Sequence, residues 1–579
     1  MDNVYEELND FIKNLAKKFG IKSTKIVESD GDISDFCINI TGLIKKTRMD
    51  AEQIETELNE CSSMNLKLMF NTFLTSTNGS YFYNFKFNHV YIDLFLTKSI
   101  TDGTNIFSVP KDNKTILIDY ASPNVAKDMH VGHMRSTFIG DVLSNIYEYL
   151  GKNVIRVNHI GDFGLQFGMI INYIITNKID VDCISADSLQ SIYTSAKKMF
   201  DGDDEDTDDN IPMDSSNEFK KTSYGIIKDI HTNDDSPYIA LWEKIRNLSL
   251  GSYASIFERL GINQLIMGES FYKPFIPELI SETISKGMSE VKDGRVTIKA
   301  DKSVPPLTIV KSDGAYTYAT TDLTAVKYRV HEQKADSIYY VVDTGQSSHF
   351  KQLFAVSKAL GYLDKTEAEH LNFGVVLGDD GLRIRSKNGD TPRLIDLLEE
   401  CIKTTHKVFD ERKKHIDDKD CESVAVSSLR YANISICRTS DFMFSPEKML
   451  SFKGDTYMYL LYAYVRCKQI MAKFESCKRL ETKLNSGLED ADYKLMYIVL
   501  KFPYVLMTVS ETKMPHILAA YTYKLVNAIQ IHYNNRTLEF DKENNMTSAN
   551  IDRLKIVNVC EKLLSDIFNI MGLKLLTHV

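Results

Sequence analysis

Several features are scarce in this 579-residue chain, and each scarcity excludes something. With 12 prolines and 28 glycines, it is neither a low-complexity polymer nor a collagen-like repeat. No stretch reaches the ~18 uninterrupted apolar residues that a membrane-spanning helix needs. The most apolar run, LMYIVLKFPYVLM, is broken by Lys501 and Pro503 and reads as a pair of buried helices. The opening MDNVYEELNDFIKNLAKKFG is charged throughout and lacks the apolar centre of a secretory leader, so we expect no membrane partner. Nine cysteines (37, 61, 183, 401, 421, 437, 467, 477 and 560) lie far apart without a C-x-x-C pair. That excludes a disulfide framework and fits a reducing, cytoplasmic compartment. Positive charge is not in excess either: 69 Lys and Arg face 79 Asp and Glu, net −10. No global field draws the chain to DNA or anionic lipid, and any polyanion must be held by local groups.

What remains is 43% hydrophobic and 26% charged, an ordinary globular composition. Four regions are distinguishable. Residues 1–112 read as a small α+β domain, with YFYNFKFNHVYIDLFL at 81–96 suggesting paired strands. Residues 113–400 carry a strand, TILIDY, then an amphipathic helix with Met134, Phe138, Val142, Ile146 and Leu150 at four-residue steps, then a second strand, VIRVNHI. Strand, helix and strand in so short a span form a βαβ unit, and hence a parallel sheet. An insertion at about 172–265 is helical and contains DGDDEDTDDN at 201–210, a solvated connection whose Gly and Glu are out of register for a calcium loop. The sheet is expected to resume with PPLTIV, SIYYVVD and FGVVLG. Residues 401–454 read as a helical connection and 455–579 as a helical bundle.

The loop after the first strand, ASPNVAKDMHVGH, places Lys127, His130, Gly132 and His133 where a strand end meets a helix N-terminus. In a parallel sheet that is where ligands sit, and the exposed N–H groups of the helix attract anions. Two imidazoles flanking a glycine suit a nucleotide; the alternative is a pair of capping or core histidines. No P-loop is present, and the histidines lack H-E-x-x-H spacing and cysteine company, so no protein metal site is expected.

The run SPNVAKDMHVGHMRST, followed by NHIGDFGLQFG at 158–168, resembles the class I aminoacyl-tRNA synthetases and, among them, the arginyl-tRNA synthetases. Similarity continues through MGESFYKP, DGAYTYATTDLTAVKYR, TGQSSHF, FGVVLGDDG, TPRLIDLLEE and MLSFKGDTYMYLLYAYVRCKQ, about residues 30 to 575. The resemblance implies a Rossmann-like parallel-sheet catalytic domain, an α+β N-terminal domain touching the outer corner of tRNA, and an all-α C-terminal anticodon-binding bundle. It implies a monomer that uses ATP to activate L-arginine and transfers the arginyl group to the 3′ end of tRNA(Arg). Asp119, Ser122, Asn124, His133, Tyr318, Asp322 and Gln346 would line the arginine site. His130, Gly132 and His133, with Arg385, Ser386 and Lys387 in LRIRSKNGDT standing for the second class I signature, would hold ATP. His130, His133, Lys127, Arg385 and Lys387 would act in catalysis, and Mg²⁺ would be bound mainly through the ATP phosphates. Tyr459, Tyr462, Arg466 and Lys468 would meet tRNA. A guanidinium has five donors and no acceptor, so a carboxylate such as Asp322 suits its slot. Two alternatives share these residues: a class I enzyme for another amino acid, and a catalytically silent relative that binds tRNA.

Overall fold

The computed structural model describes residues 4–21, 25–29, 33–101, 107, 112–201, 218–300, 304–378, 380–382, 384, 392–475, 488–535 and 548–576. All of the acidic stretch except Asp201 lies outside them. The chain divides into two compact units, Lys111–Met449 and a discontinuous one made of Met1–Pro110 and Leu450–Val579.

In the first of these, five parallel strands form one sheet: β1 (Thr115–Tyr120), β2 (Asn153–Asn158), β3 (Leu265–Ile266), β4 (Ser337–Val341) and β5 (Glu367–His370). Their spatial order is β5-β4-β1-β2-β3, with Leu117 opposite Ile155 on one side and Ile338 on the other. All six residues of β1 are buried, as expected for a central strand covered on both faces. Helix α1 (Val131–Tyr149) carries the chain from β1 to β2, while β4 adjoins β1 on the opposite side. Connections therefore leave β1 and β4 in divergent directions, opening a crevice beyond their carboxyl ends. Close packing of α1 on the sheet requires Gly140, where a Cβ would lie 2.3 Å from Tyr120 Cγ. The insertion is helical as expected: Leu165–Thr176, Ala186–Asp201, Glu218–Thr232 and Ile239–Leu260 bury Phe167, Ile170, Ile227 and Ile245 together.

Three expectations are corrected. Within YFYNFKFNHVYIDLFL the strand stops at Phe87, and residues His89–Thr101 are helical. Asn88 Oδ1 accepts the Val90 N–H at 3.0 Å, and the buried Tyr91, Ile92, Phe95 and Leu96 follow helical rather than alternating spacing. Leu307–Val310 belongs to a separate antiparallel sheet with Ser289–Lys292 and Arg295–Ile298, and Val376–Leu377 pairs with Phe442–Met443, so neither extends the parallel sheet. The segment read as a connection to the bundle is instead built into the catalytic unit as far as Met449. The buried Arg430 donates to Asp141 on α1 at 2.7 Å and to the Leu260 carbonyl at 2.8 Å. Removing Asp141 would leave that guanidinium without its carboxylate at a cost of about 3–5 kcal/mol.

In the discontinuous unit, helix Val4–Phe19 and an antiparallel sheet (27–28, 36–39, 80–87, 70–77 in spatial order) pack with five C-terminal helices: Tyr457–Glu475, Asp490–Leu500, Phe502–Thr512, His516–Asn535 and Ser548–Met571. Lys501, at the break between two of these helices, is 2% exposed and sits 3.3 Å from Glu28 and 3.1 Å from the Ser29 carbonyl. His89 stacks on Tyr493 with ring centroids 3.7 Å apart.

Candidate active site

The crevice at the carboxyl ends of β1 and β4 is a cleft of about 1420 Å³. One end is formed by the β1–α1 loop. Ala121, Ser122 and Ala126 there have φ of 75°, 44° and 66°, left-handed values that cost non-glycine residues about 1–3 kcal/mol each. Each amide of this strained turn is pinned by a side chain: Ala121 by Ser136 Oγ at 2.8 Å, Ser122 by Asn158 Oδ1 at 3.0 Å, Ala126 by Ser249 Oγ at 3.1 Å. Asn124 Oδ1 presses so closely on Gly161 that a Cβ there would be 2.1 Å away.

His130 caps α1. Its Nδ1 accepts the Gly132 N–H at 3.1 Å, and His133 Nδ1 accepts the His130 N–H at 2.9 Å. The two rings are 3.8 Å apart. Because both Nδ1 atoms are acceptors, the neutral rings carry their protons on Nε2 and keep one donor each, a tautomer assigned from the hydrogen-bond pattern. Burial, reinforced by Lys127, lowers the His130 pKa; burial and the neighbouring His130 push that of His133 well down. The pair is thus neutral at physiological pH. The capping reading and the ligand reading of these histidines are compatible: capping fixes the rings and leaves the Nε2–H groups at the cleft.

The other end is acidic. Tyr318 and Asp322 share one face of α2 (Tyr318–His331), and Gln346 and His349 stand at the start of α3 (Ser347–Ala359). His349 Nε2 lies 2.6 Å from Asp322 Oδ2, and His159 Nε2 lies 3.3 Å from Oδ1. Burial alone would raise the Asp322 pKa, but these two imidazoles hold it far below the usual carboxylate range, and Asp322 in turn raises both histidines against their own burial. Beside them the buried Glu269 is pushed up to about 8, by burial first and then by Asp322 and Asp162.

Eight expected residues therefore border one cleft: Ser122, Asn124, His130, Gly132, His133, Tyr318, Asp322 and Gln346. Asp119 lies behind its wall, where Arg329 takes Oδ2 at 2.7 Å and Ser122 donates to Oδ1 at 3.0 Å. Lys127 does not border the cleft; its exposed ammonium lies 5.2 Å from the Tyr193 ring centroid. Arg385, Ser386 and Lys387 lie outside the described residues. Sequence reading missed His159, Glu269 and His349, although each sits inside a matched block: NHIGDFGLQFG, MGESFYKP and TGQSSHF. In the bundle, Arg466 stacks 3.6 Å from the Tyr533 ring centroid beside the exposed Tyr462, and the exposed Lys468 is 3.3 Å from the Tyr464 hydroxyl. Tyr459 is instead tied inward, donating to Asn527 Oδ1 at 2.6 Å.

Comparison with known proteins gives the family. The family model described as tRNA synthetases class I (R), catalytic domain, matches residues 96–446, and that of the DALR anticodon binding domain matches 460–579. The chain is 32% identical to the arginine–tRNA ligase of Acanthamoeba polyphaga mimivirus, over 98% of this chain and 94% of that one. It is 34% identical to the corresponding ligase of Chlamydia pneumoniae, over 86% of each. The crystal structure of arginyl-tRNA synthetase from Plasmodium falciparum superposes with a TM-score of 0.82 at 25% identity, each chain covered in full.

Proposed function

The chain belongs to the class I arginyl-tRNA synthetases, and from that membership we infer that it ligates arginine to tRNA at the expense of ATP, with nucleotide and amino acid side by side in the cleft. His130 and His133 aim two Nε2–H donors from the N-terminus of α1, suited to a phosphate that gains charge as the arginine carboxylate attacks the α-phosphorus. Asp322 is the carboxylate for the guanidinium, with Tyr318, Gln346, Ser122 and Asn124 around the substrate and Glu269 a second, buried carboxyl. Asp119 acts from behind, through Ser122 and Arg329. Arg385, Ser386 and Lys387 stand in the segment that would neutralise the departing pyrophosphate; Lys127 would have to swing away from Tyr193 to join them. The ribose hydroxyl of the tRNA end then takes the arginyl group from the adenylate.

Among the described residues no group of three His, Cys, Asp or Glu side chains converges to hold a metal. The cleft's phosphate end offers N–H donors rather than lone pairs, which fits Mg²⁺ carried on the nucleotide, where it would offset phosphate charge. Tyr462, Arg466 and Tyr533 suit unpaired bases by stacking, with Lys468 meeting phosphate, so the bundle reads the anticodon and residues 1–112 the outer corner of the tRNA. The enzyme acts as a cytoplasmic monomer without DNA or membrane partners; among the described residues no helix is long and apolar enough to cross a membrane.

The observation that carries this reading is a half-buried carboxylate, held between two imidazoles, in the same cleft as two preset imidazole donors. A charging assay with arginine and total tRNA tests it. Arginylation is expected, and tRNA binding without charging would mark a silent relative instead.

A further inference from the structure

Both oxygens of Asp322 are already engaged. His349, from the start of α3, reaches Oδ2 at 2.6 Å, and His159, from the loop after β2, reaches Oδ1 at 3.3 Å. Other charged and titratable groups face this trio from every side. Asp119 on β1 is paired to Arg329 on α2 at 2.7 Å. Glu269 and Tyr272 come from the turn 269–275, Tyr340 from β4, and Asp162, held by Arg246 at 2.6 Å, stands behind Glu269. A guanidinium directed at Asp322 thus meets a carboxylate that already has two imidazoles on it. Where His349 is protonated, a further cation at this half-buried carboxylate is disfavoured, because like charges a few ångströms apart oppose each other's charged forms.

The two histidines are not equivalent. The ring nitrogens of His159 are shut off from solvent. His349 is 25% exposed and stands on the cleft wall next to Gln346, with a route for its ring and its proton to leave. We propose that His349 is a specificity-determining residue: as an imidazolium it occupies Asp322 in the empty site, and it hands the carboxylate to the incoming guanidinium while losing its proton to solvent. The balance is one imidazolium–carboxylate pair and one guanidinium in, one neutral imidazole, one guanidinium–carboxylate pair and one proton out. A neutral side chain of arginine's shape cannot repay the loss of this half-buried ion pair, so the empty site is closed to it by an existing bond as well as by a missing one. This deepens the reading that Asp322 receives the guanidinium and rests on it.

The test is calorimetric titration of arginine into the full-length enzyme at pH 6 to 8, in pairs of buffers with different ionisation heats. We expect arginine to release a fraction of a proton that grows as pH falls from 8 to 6, and its affinity to rise with pH by up to about tenfold per unit until His349 is neutral in the empty site. Citrulline, the neutral isostere, should release none and bind at least about a hundredfold more weakly. His349→Asn should abolish the release and flatten the pH dependence of arginine binding. Arginine binding to wild type without proton release overturns the proposal, a readout that needs no variant to fold. Release that persists in His349→Asn but vanishes in His159→Asn also overturns it, by moving the role to His159. Asp322→Asn separates the premise: arginine binding unchanged in that variant would show that the guanidinium lies elsewhere, whatever the protons do.

Discussion

One cleft holds two pairs of histidines with opposite electrostatics. His130 and His133 have each other and a helix N-terminus for company, and both are depressed below the ordinary imidazole range by burial. His159 and His349 are partly desolvated as well, yet both are raised, because Asp322 stands between them. Desolvation acts in the same sense on all four; the single carboxylate decides the charge. The difference teaches that residue type alone does not assign a role here. The neutral pair is arranged to donate to an anion, and the pair on Asp322 to guard the slot for a cation.

The sharpest way to break the comparison is His133→Ala. If its Nε2–H contact strengthens in the transition state, arginine-dependent pyrophosphate exchange measured with tRNA present should fall by about two orders of magnitude or more; a loss below tenfold would remove that role. Next in size is a pH signature of opposite sign to that of arginine. Phosphate charge beside a depressed imidazole draws a proton onto it, so the magnesium nucleotide should bind with proton uptake and tighten as pH falls from 8 to 6, by at most about tenfold per unit. Nucleotide binding that releases protons would make the two pairs alike.

Arg466→Ala on the bundle supplies a comparison outside the cleft. Loss of one stacking cation should weaken tRNA binding in a filter assay by about tenfold while leaving proton release by arginine untouched. The smallest expected effect is Glu269→Gln. Its folded pKa of about 8 lies above the ordinary carboxyl value, so between the two the folded state keeps a proton that the unfolded chain has lost, and stability falls as pH rises. Glutamine carries no such penalty. The variant should gain on wild type between pH 5 and 8, reaching a Tm about 2–4 °C higher at pH 8. A gap that shrinks with rising pH would mean that Glu269 is ionised.

Much of the site was legible in the sequence because it lies in contiguous runs. The loop 121–133 carries its own geometry, and Tyr318 and Asp322 sit four apart on a helix, so spacing alone puts them on one face. The guard around Asp322 was not legible. His159, Glu269 and His349 come from three segments that only the sheet order brings together, and no spacing links them. Asp119 shows the reverse: it stands where a ligand carboxylate was expected, but Arg329, two hundred residues on, claims it. In the fold, the alternation of Tyr81 to Phe87 led the strand reading one segment too far, although Asn88 carried the helix-start signal. The union of the first hundred residues with the last helices had no local signal. Lys501 reads in sequence as a helix break, and its role as a buried cation between Glu28 and Asp35 emerges only once the two ends of the chain are folded together.

That union sets an order of events during synthesis. Glu28 and Asp35 are made well before their cation Lys501, which follows the whole of Lys111–Met449, and at about 5–20 residues per second the wait is roughly 25–95 s. Throughout that interval the segment before Lys111 lacks the partners of its acidic and aromatic groups, Phe36 of the sheet and His89 of the following helix included, which later pack against Tyr504 and Tyr493. Helices made after Met449 are therefore what completes a domain begun before Lys111.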